Sequence, residues 1–401
     1  MSSKTSKDHL KFAESVALIA MMMSLAALSI DAVLPALPTI GSELGVKHEN
    51  TNQLVISLLF LGMSVGQIIY GPLSDAIGRK PAIYTGFAIF ITGTLLSLFA
   101  TCFTMMLTGR ILQGLGAAST RIVSIAIVRD RYEGQKMARV MSFVMTIFIL
   151  IPILAPALGQ LMLTISGWRL IFALFLSLSL FTLVWFSLRL PETLNKEKRH
   201  PFTVGRIFSA VQEILGIRQA LAYTIVSGLV FGSFLGYLNS SQQILQMQYE
   251  LGEKFPLYFG ILAVAFGAAT LMNSKLVMLF NMQKLVLHAM QVFVILSAIF
   301  LVIALTQNGH PPLWSFILYL MLLFFAIGIL FGNLNALAME PLGHIAGIGA
   351  STIGSISTFT ALVIGTIIGQ SYNGTILPLT TGFLVLGALS LGVMRWENRK
   401  R

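Results

Sequence analysis

The sequence predicts an all-α membrane protein of twelve transmembrane helices arranged as two six-helix bundles. Three observations predict it. Of 401 residues, 56% are hydrophobic and only 10% are charged, against roughly a quarter charged in a soluble domain. Apolar runs of about 20 residues, the length that crosses a bilayer, recur at 16–38, 53–73, 82–100, 104–127, 139–163, 168–189, 220–242, 255–279, 284–306, 312–337, 346–371 and 375–395. The one long polar stretch, 190–219, divides these runs six and six. A soluble enzyme or a transcription factor is excluded by this composition. The predicted organisation is an N-terminal bundle at 1–190, a cytoplasmic linker at 191–219 and a C-terminal bundle at 220–401.

The first run follows Lys4, Lys7 and Lys11, is about 20 residues long, and contains Asp31, Pro35 and Pro38. No small-residue cleavage site follows a short apolar region, so it reads as a permanent span and not as a secretory signal. Basic residues set the orientation. With the N-terminus inside, 21 of the 26 Lys and Arg fall on the cytoplasmic side, and only Lys47, Arg169 and Lys254 fall outside. This positive-inside bias places both termini in the cytoplasm and explains the net charge of +11 without nucleic acid. Two six-span halves suit alternating access in a transporter better than a channel. Cys102 is the only cysteine, which excludes an intrachain disulfide and a cysteine metal site. The histidines show no metal spacing, and there is no nucleotide-binding P-loop or hydrolase nucleophile elbow. No enzyme activity and no cofactor are expected.

Between runs 2 and 3 the chain reads Gly71-Pro72-Leu73-Ser74-Asp75-Ala76-Ile77-Gly78-Arg79-Lys80-Pro81. Glycines permit a tight turn, Asp75 can meet a helix N-terminus or a basic partner, and Arg79 and Lys80 mark the inner face. This loop resembles the gating signature G-x-L-x-D-x-x-G-R-K of the major facilitator superfamily. The corresponding place in the second half, Asn273 to Lys284, lacks the pattern. Run 4 contains Arg110-Ile111-Leu112-Gln113-Gly114-Leu115-Gly116-Ala117-Ala118, which resembles R-x-x-Q-G-x-G-A-A of the same superfamily. Run 5 has Pro152, Pro156 and Gly159, similar to the proline–glycine motif of its drug antiporters, with Gln160 in place of a commoner glycine. Asp31-Ala32-Val33-Leu34-Pro35-Ala36-Leu37-Pro38 resembles the D-x-x-L-P-A-x-P signature of the twelve-span drug:proton antiporters. Asn335 to Pro341, followed by His344-Ile345-Ala346-Gly347, is similar to the bicyclomycin-resistance (Bcr/CflA) branch. The resemblance covers about 15 to 395. It implies a proton-driven exporter of small organic compounds in the bacterial inner membrane, working as a monomer with the proton gradient as its driving force. The runner-up is a transporter of one metabolite or siderophore, with anionic substrates drawn by the arginines.

Three ionisable residues fall deep inside predicted spans: Asp31, Arg110 and Arg121. Each costs about 2.5–3.5 kcal/mol to insert and so reads as functional or paired. At 1.5 Å per residue, Asp31 and Arg110 both lie roughly 10 Å below the outer surface, which predicts an Asp31–Arg110 proton-coupling pair or a static pair ordering helices. A nearby cation favours the charged carboxylate and burial favours the neutral one, so such a group can exchange a proton as the cavity changes shape. Arg121 is eleven residues on and returns to nearly the same helix face, about 16 Å further in, with Gln113 and Ala117 between. It could draw an anionic substrate group or extend to the inner surface. The branch more often places this arginine a turn later, at Ile125. Gln113, Arg121, Tyr237, Asn239 and Asn333 are the expected cavity residues, with bonding across helices as the other reading for Asn333 and Asn335 and an interfacial place as the other reading for Tyr237 and Asn239. Tyr237 to Gln243 form a polar outer end of run 7, and Glu340 and His344 flank Pro341 as a solvated inner gate or a proton relay.

Overall fold

In a computed structural model, the described residues are 11–398, and their secondary structure is entirely helical. The helices are α1 (Phe12–Asp31), α2 (Leu37–Glu43), α3 (Leu54–Ile77), α4 (Arg79–Leu98), α5 (Phe103–Arg131), α6 (Gly134–Ser166) and α7 (Arg169–Arg189) in the first half. After α8 (Val204–Gly216) come α9 (Arg218–Gln242), α10 (Phe255–Leu279), α11 (Met282–Thr306), α12 (Leu313–Met339), α13 (Ala346–Gln370) and α14 (Leu377–Asn398). Eleven continuous helical stretches are long and apolar enough to cross a membrane. The longest, Leu313–Gln370, passes through a bent turn at Glu340–Ile345 and contains two spans, α12 and α13. The twelve expected crossings are therefore all present among the described residues.

Two departures from the sequence expectation have local causes. The first span is not one straight helix. It stops at Asp31, continues as a 3-10 turn at Leu34–Ala36 and resumes as α2. Pro35 and Pro38 supply no backbone donor, so the helical ladder is interrupted where they stand. The linker, read as polar, contains the amphipathic helix α8, which packs its buried Ala210 and Ile214 against α9 and α13. Its apolar positions are spaced for a helix, but the prolines and charges before it mask the signal.

Within the first bundle α5 packs closely on α3 and α4, and within the second α13 packs on α9. The bundles meet along two seams, α3 against α13 and α6 against α10. The end of the molecule carrying the 71–81 loop, the linker and residues 11 and 398 is the basic end. The opposite end carries Asn50, Trp168 and Tyr372. There Trp168 Nε1 and Arg169 donate to Glu43 at 2.9 and 2.8 Å, fastening α2 to α7.

Candidate functional site

The break in span 1 shapes the site. The last carbonyls of a helix lack intrahelical donors, and Arg110 of α5 supplies one. Its Nη2 donates to the Ser29 carbonyl at 2.7 Å, its Nε to the Val55 carbonyl at 2.8 Å, and its Nη1 to Gln113 Oε1 at 2.7 Å. Gln113 Nε2 in turn donates to Thr94 Oγ1 at 2.9 Å. Both side chains are sealed from solvent. Arg110 thus clamps α1, α3 and α5 two residues before Asp31.

Asp31 is not part of that clamp. The expected Asp31–Arg110 pair is absent, because no ion pair or hydrogen bond among the described residues joins them. Asp31 instead lines a cavity of about 160 Å³ between the bundles, with Ala26 and Ala27 of α1, Met63 of α3, Arg121 of α5 and Pro152 of α6. The second bundle contributes mainly rings, among them Phe231, Phe234, Tyr237, Phe259, Phe266 and Phe324. Tyr237 stacks on Phe259 at 5.9 Å and meets Phe324 edge-on at 4.8 Å. Edge-to-face and offset stacks at such distances are favourable ring arrangements. Arg121 and Asp31 are the only charged residues in the cavity wall among the described residues. Arg121 is half-buried and reaches this cavity.

The other expected cavity residues lie elsewhere. Gln113 is a structural partner of Arg110. Asn333 exchanges amide hydrogen bonds with Asn273 of α10 at 2.7 and 3.2 Å and so packs α12 on α10. Asn239 donates to Ser57 Oγ and to the Gly365 carbonyl, both at 3.1 Å, and belongs to the seam between the bundles. Helix spacing put Gln113 on one stripe with Arg110 and Arg121, but it could not say which neighbour that face would meet.

Sequence reasoning did not assemble the far-end seam. Asn50 Nδ2 donates to the carbonyls of Gln370 and Tyr372 at 3.0 and 2.8 Å, and Gln370 Nε2 donates back to the Asn50 carbonyl at 2.7 Å. Gln53 Nε2 donates to Gln243 Oε1 and to the Gly369 carbonyl, and Gln243 Nε2 donates to Asn50 Oδ1 at 2.8 Å. Thr366 adds a bond to Ser57 Oγ at 3.0 Å. Gln243 opens a π-helical end of α9, Gln243–Gln248. Further along the seam, Ser355 Oγ donates to the Ser64 carbonyl at 2.7 Å and Gln67 to Thr358 at 3.2 Å. Closer to the basic end, no hydrogen bond among the described residues joins the bundles. The polar run Tyr237–Gln243 was the one available signal for this seam.

At the basic end the loop signature is built as a charged knot. Gly78 has φ +106, a conformation that favours glycine and lets the chain turn directly from α3 into α4. Arg79 donates to Asp75 at 2.6 Å, Ser74 Oγ at 2.8 Å and Asp130 at 2.8 Å. Glu192 accepts from the backbone N–H groups of Arg79 and Lys80 at 2.9 and 3.0 Å, capping α4, and Lys80 Nζ donates to the Ser187 carbonyl. Among the described residues, no bond of this knot crosses to the second bundle; its partners lie in the first bundle and the linker. The second bundle is only packed against the knot, with Ser351 beside Gly71 and Gly347 near Asp75 and Arg129. In α6, Pro152 lines the cavity, Pro156 is buried, and Gly159 lies so close to α1 that a Cβ there would stand 1.9 Å from the Ala32 carbonyl. Glu340 accepts from Gln219 at 2.7 Å and His344 meets Glu213 of α8 at 2.6 Å, both remote from the cavity wall.

Comparison with known proteins gives a consistent picture. Residues 19–370 match the Major Facilitator Superfamily. The multidrug resistance protein MdtL of Vibrio parahaemolyticus is 27% identical over 90% of this chain and 91% of its own length. A bicyclomycin resistance protein homolog of Haemophilus influenzae is 25% identical over 87% of each chain. The human organic anion transporter MFSD10 superimposes with a TM-score of 0.73 at 17% identity, over 96% of this chain and 100% of its own, a likeness of fold.

Proposed function

The chain belongs to the Major Facilitator Superfamily, and from that premise we propose that it exports small organic, drug-like compounds across the bacterial cytoplasmic membrane in exchange for protons. It is a multi-pass membrane transporter and not an enzyme. The observation that carries the proposal is the ring-lined cavity between the bundles with a single carboxylate, Asp31, in its wall. An apolar aromatic surface accommodates varied organic bodies, and a few polar groups then set orientation. The names of the relatives above support drug-like cargo. The basic bias of the linker end supports a cytoplasmic location for both termini. A cavity enclosed by one chain's own bundles supports a functional monomer.

Asp31 is the proton carrier in this reading. It faces the cavity without a protein partner, so it exchanges its proton with whatever the cavity contains. Arg110 contributes by holding the Ser29 carbonyl and so fixing the turn that presents Asp31. Alternating access follows from the seam, whose far-end amides part as the basic end closes. The test is substrate uptake into inverted membrane vesicles under an imposed pH gradient. Asp31→Asn should abolish concentrative uptake while leaving counterflow exchange of a neutral substrate. Undiminished proton-driven uptake by Asp31→Asn would refute the assignment. Arg121 in the same wall favours cargo that also carries an anionic group.

A further inference from the structure

The cavity contains two charges of opposite sign that do not meet. Asp31 and Arg121 both line it, and neither has a hydrogen-bond or ion-pair partner among the described residues. Charges inside a membrane span are costly and are normally paired. A third group is also unsatisfied. Tyr237 is 1% exposed, its hydroxyl has no hydrogen-bond partner, and it lines the same cavity. Buried hydroxyls are nearly always bonded, so this one points to a ligand.

The spacing of the two charges limits what could satisfy them. Arg110 bonds the Ser29 carbonyl, so it lies level with the end of α1 beside Asp31. Arg121 is eleven residues further along α5, about 16 Å along the axis. The long arginine side chain recovers part of that distance, which leaves the guanidinium and the carboxylate roughly 10 Å apart along the helix axis. The same cavity is lined by Phe234, Tyr237, Phe259 and Phe324, which contact one another as rings.

We infer that the preferred cargo is an aromatic zwitterion: an ammonium group at Asp31, a flat ring system against the Phe234–Tyr237–Phe324 cluster, and a carboxylate on Arg121. The inference rests on the cavity being the transport site and names its substrate class. An arginine fork pairs with a carboxylate through two parallel hydrogen bonds. The rings offer edge and face contacts to a flat body. The Tyr237 hydroxyl donates to an acceptor on that body. A purely cationic compound would leave Arg121 unpaired beside a like charge, and a purely anionic one would leave Asp31 so. An ammonium at Asp31 replaces the proton one charge for one, which links cargo loading to proton release.

The test uses three matched probes on the purified full-length protein at neutral pH, measured by titration calorimetry. They are 4′-(aminomethyl)biphenyl-4-carboxylic acid, its methyl ester as the cation, and biphenyl-4-carboxylic acid as the anion. The zwitterion should bind about tenfold or more tightly than either. In R121Q its affinity should fall to that of the ester, while the ester itself binds at least as well as before, which also reports that the variant is folded. Y237F should leave the ranking intact, because the biphenyl body carries no acceptor for the Tyr237 hydroxyl. If R121Q does not fold, the wild-type ranking decides alone. Equal binding of zwitterion and ester by the wild type, or an unchanged preference in folded R121Q, overturns the inference. Failure of every compound to accumulate in vesicles under a pH gradient would instead refute proton-driven export, so the two failures are distinguishable.

Discussion

At the far end of the seam the bundles are joined by the neutral amides and hydroxyls of Asn50, Gln53, Ser57, Asn239, Gln243, Thr366 and Gln370. At the basic end the chain has stronger groups, Asp75, Arg79, Asp130 and Glu192, yet all of their bonds among the described residues stay within the first bundle and the linker. A buried charge that loses its partner is left at a cost of about 3–5 kcal/mol, whereas a polar contact between membrane helices averages about 0.6 kcal/mol. A seam that must open and close is better made of many weak, replaceable contacts. A bundle that must move as a rigid body is better held by strong ones. The difference therefore separates what moves in this transporter from what does not.

The strongest test of that separation is to prevent the far end from opening. In a Cys102→Ser background, Gln53→Cys with Gln243→Cys joined by a short bismaleimide should stop transport completely, while the same pair left unlinked should retain most of it. Continued transport by the linked protein would mean that this end does not move. Arg79→Ala should come next. It leaves Asp75 and Asp130 without their cation, so we expect a loss of stability on the order of 3 kcal/mol, visible as a lower melting temperature of the purified protein, together with strongly impaired efflux. A variant with normal melting but lost transport would show that the knot acts between bundles after all.

A smaller effect is expected from Gln243→Ala. Removing its contacts to Gln53 and Asn50 should shift the equilibrium toward the far-end-open form about threefold, the equivalent of about 0.6 kcal/mol. Faster alkylation of a Ser57→Cys reporter by an impermeant maleimide would reveal it, and an unchanged rate would count against the seam as a gate. The smallest effect on transport belongs to the loop that occupies the place of the charged knot in the second half. There Asn281 caps α11 by accepting from the N–H groups of Gln283 and Lys284 at 3.0 and 3.3 Å. Asn281→Ala should cost about 1 kcal/mol of stability and leave vesicle transport rates unchanged. A transport defect there would show that the second loop gates as well.

Particular residues show how far the sequence could be read. The turn at Gly78, a basic partner as one of two options for Asp75 and the place of Tyr237 in a cavity were legible, because each depends on a short motif or on one helix face, whereas the choice of Arg79 as that partner came from the packed loop. Arg110 was recognised as functional or paired, but its partners were not, since backbone carbonyls leave no mark in a sequence. Asn333 and Asn239 have the same residue type and similar depth, yet one packs α12 on α10 and the other bridges the bundles. Nothing in their local spacing distinguishes them. The far-end seam draws on three separated segments, 50–57, 239–243 and 366–372, of which only the polar run at 239–243 stands out in the sequence.

Span number, the division into halves and the identity of the charges inside the membrane follow from one-dimensional quantities: run length, hydropathy and the count of basic residues in loops. The bilayer enforces these strictly, because an unsatisfied backbone or an unneeded charge in hydrocarbon is so unfavourable. Which charge faces which partner depends on how each helix is rotated and where it breaks. The stop at Asp31 set its carboxylate in the cavity wall that Arg121 and Tyr237 also line, and left Ser29's carbonyl to Arg110. A shift of one residue in a helix turns a side chain by about 100°. Depth along the membrane could therefore be estimated from the chain, but pairing across the cavity required the packed bundles.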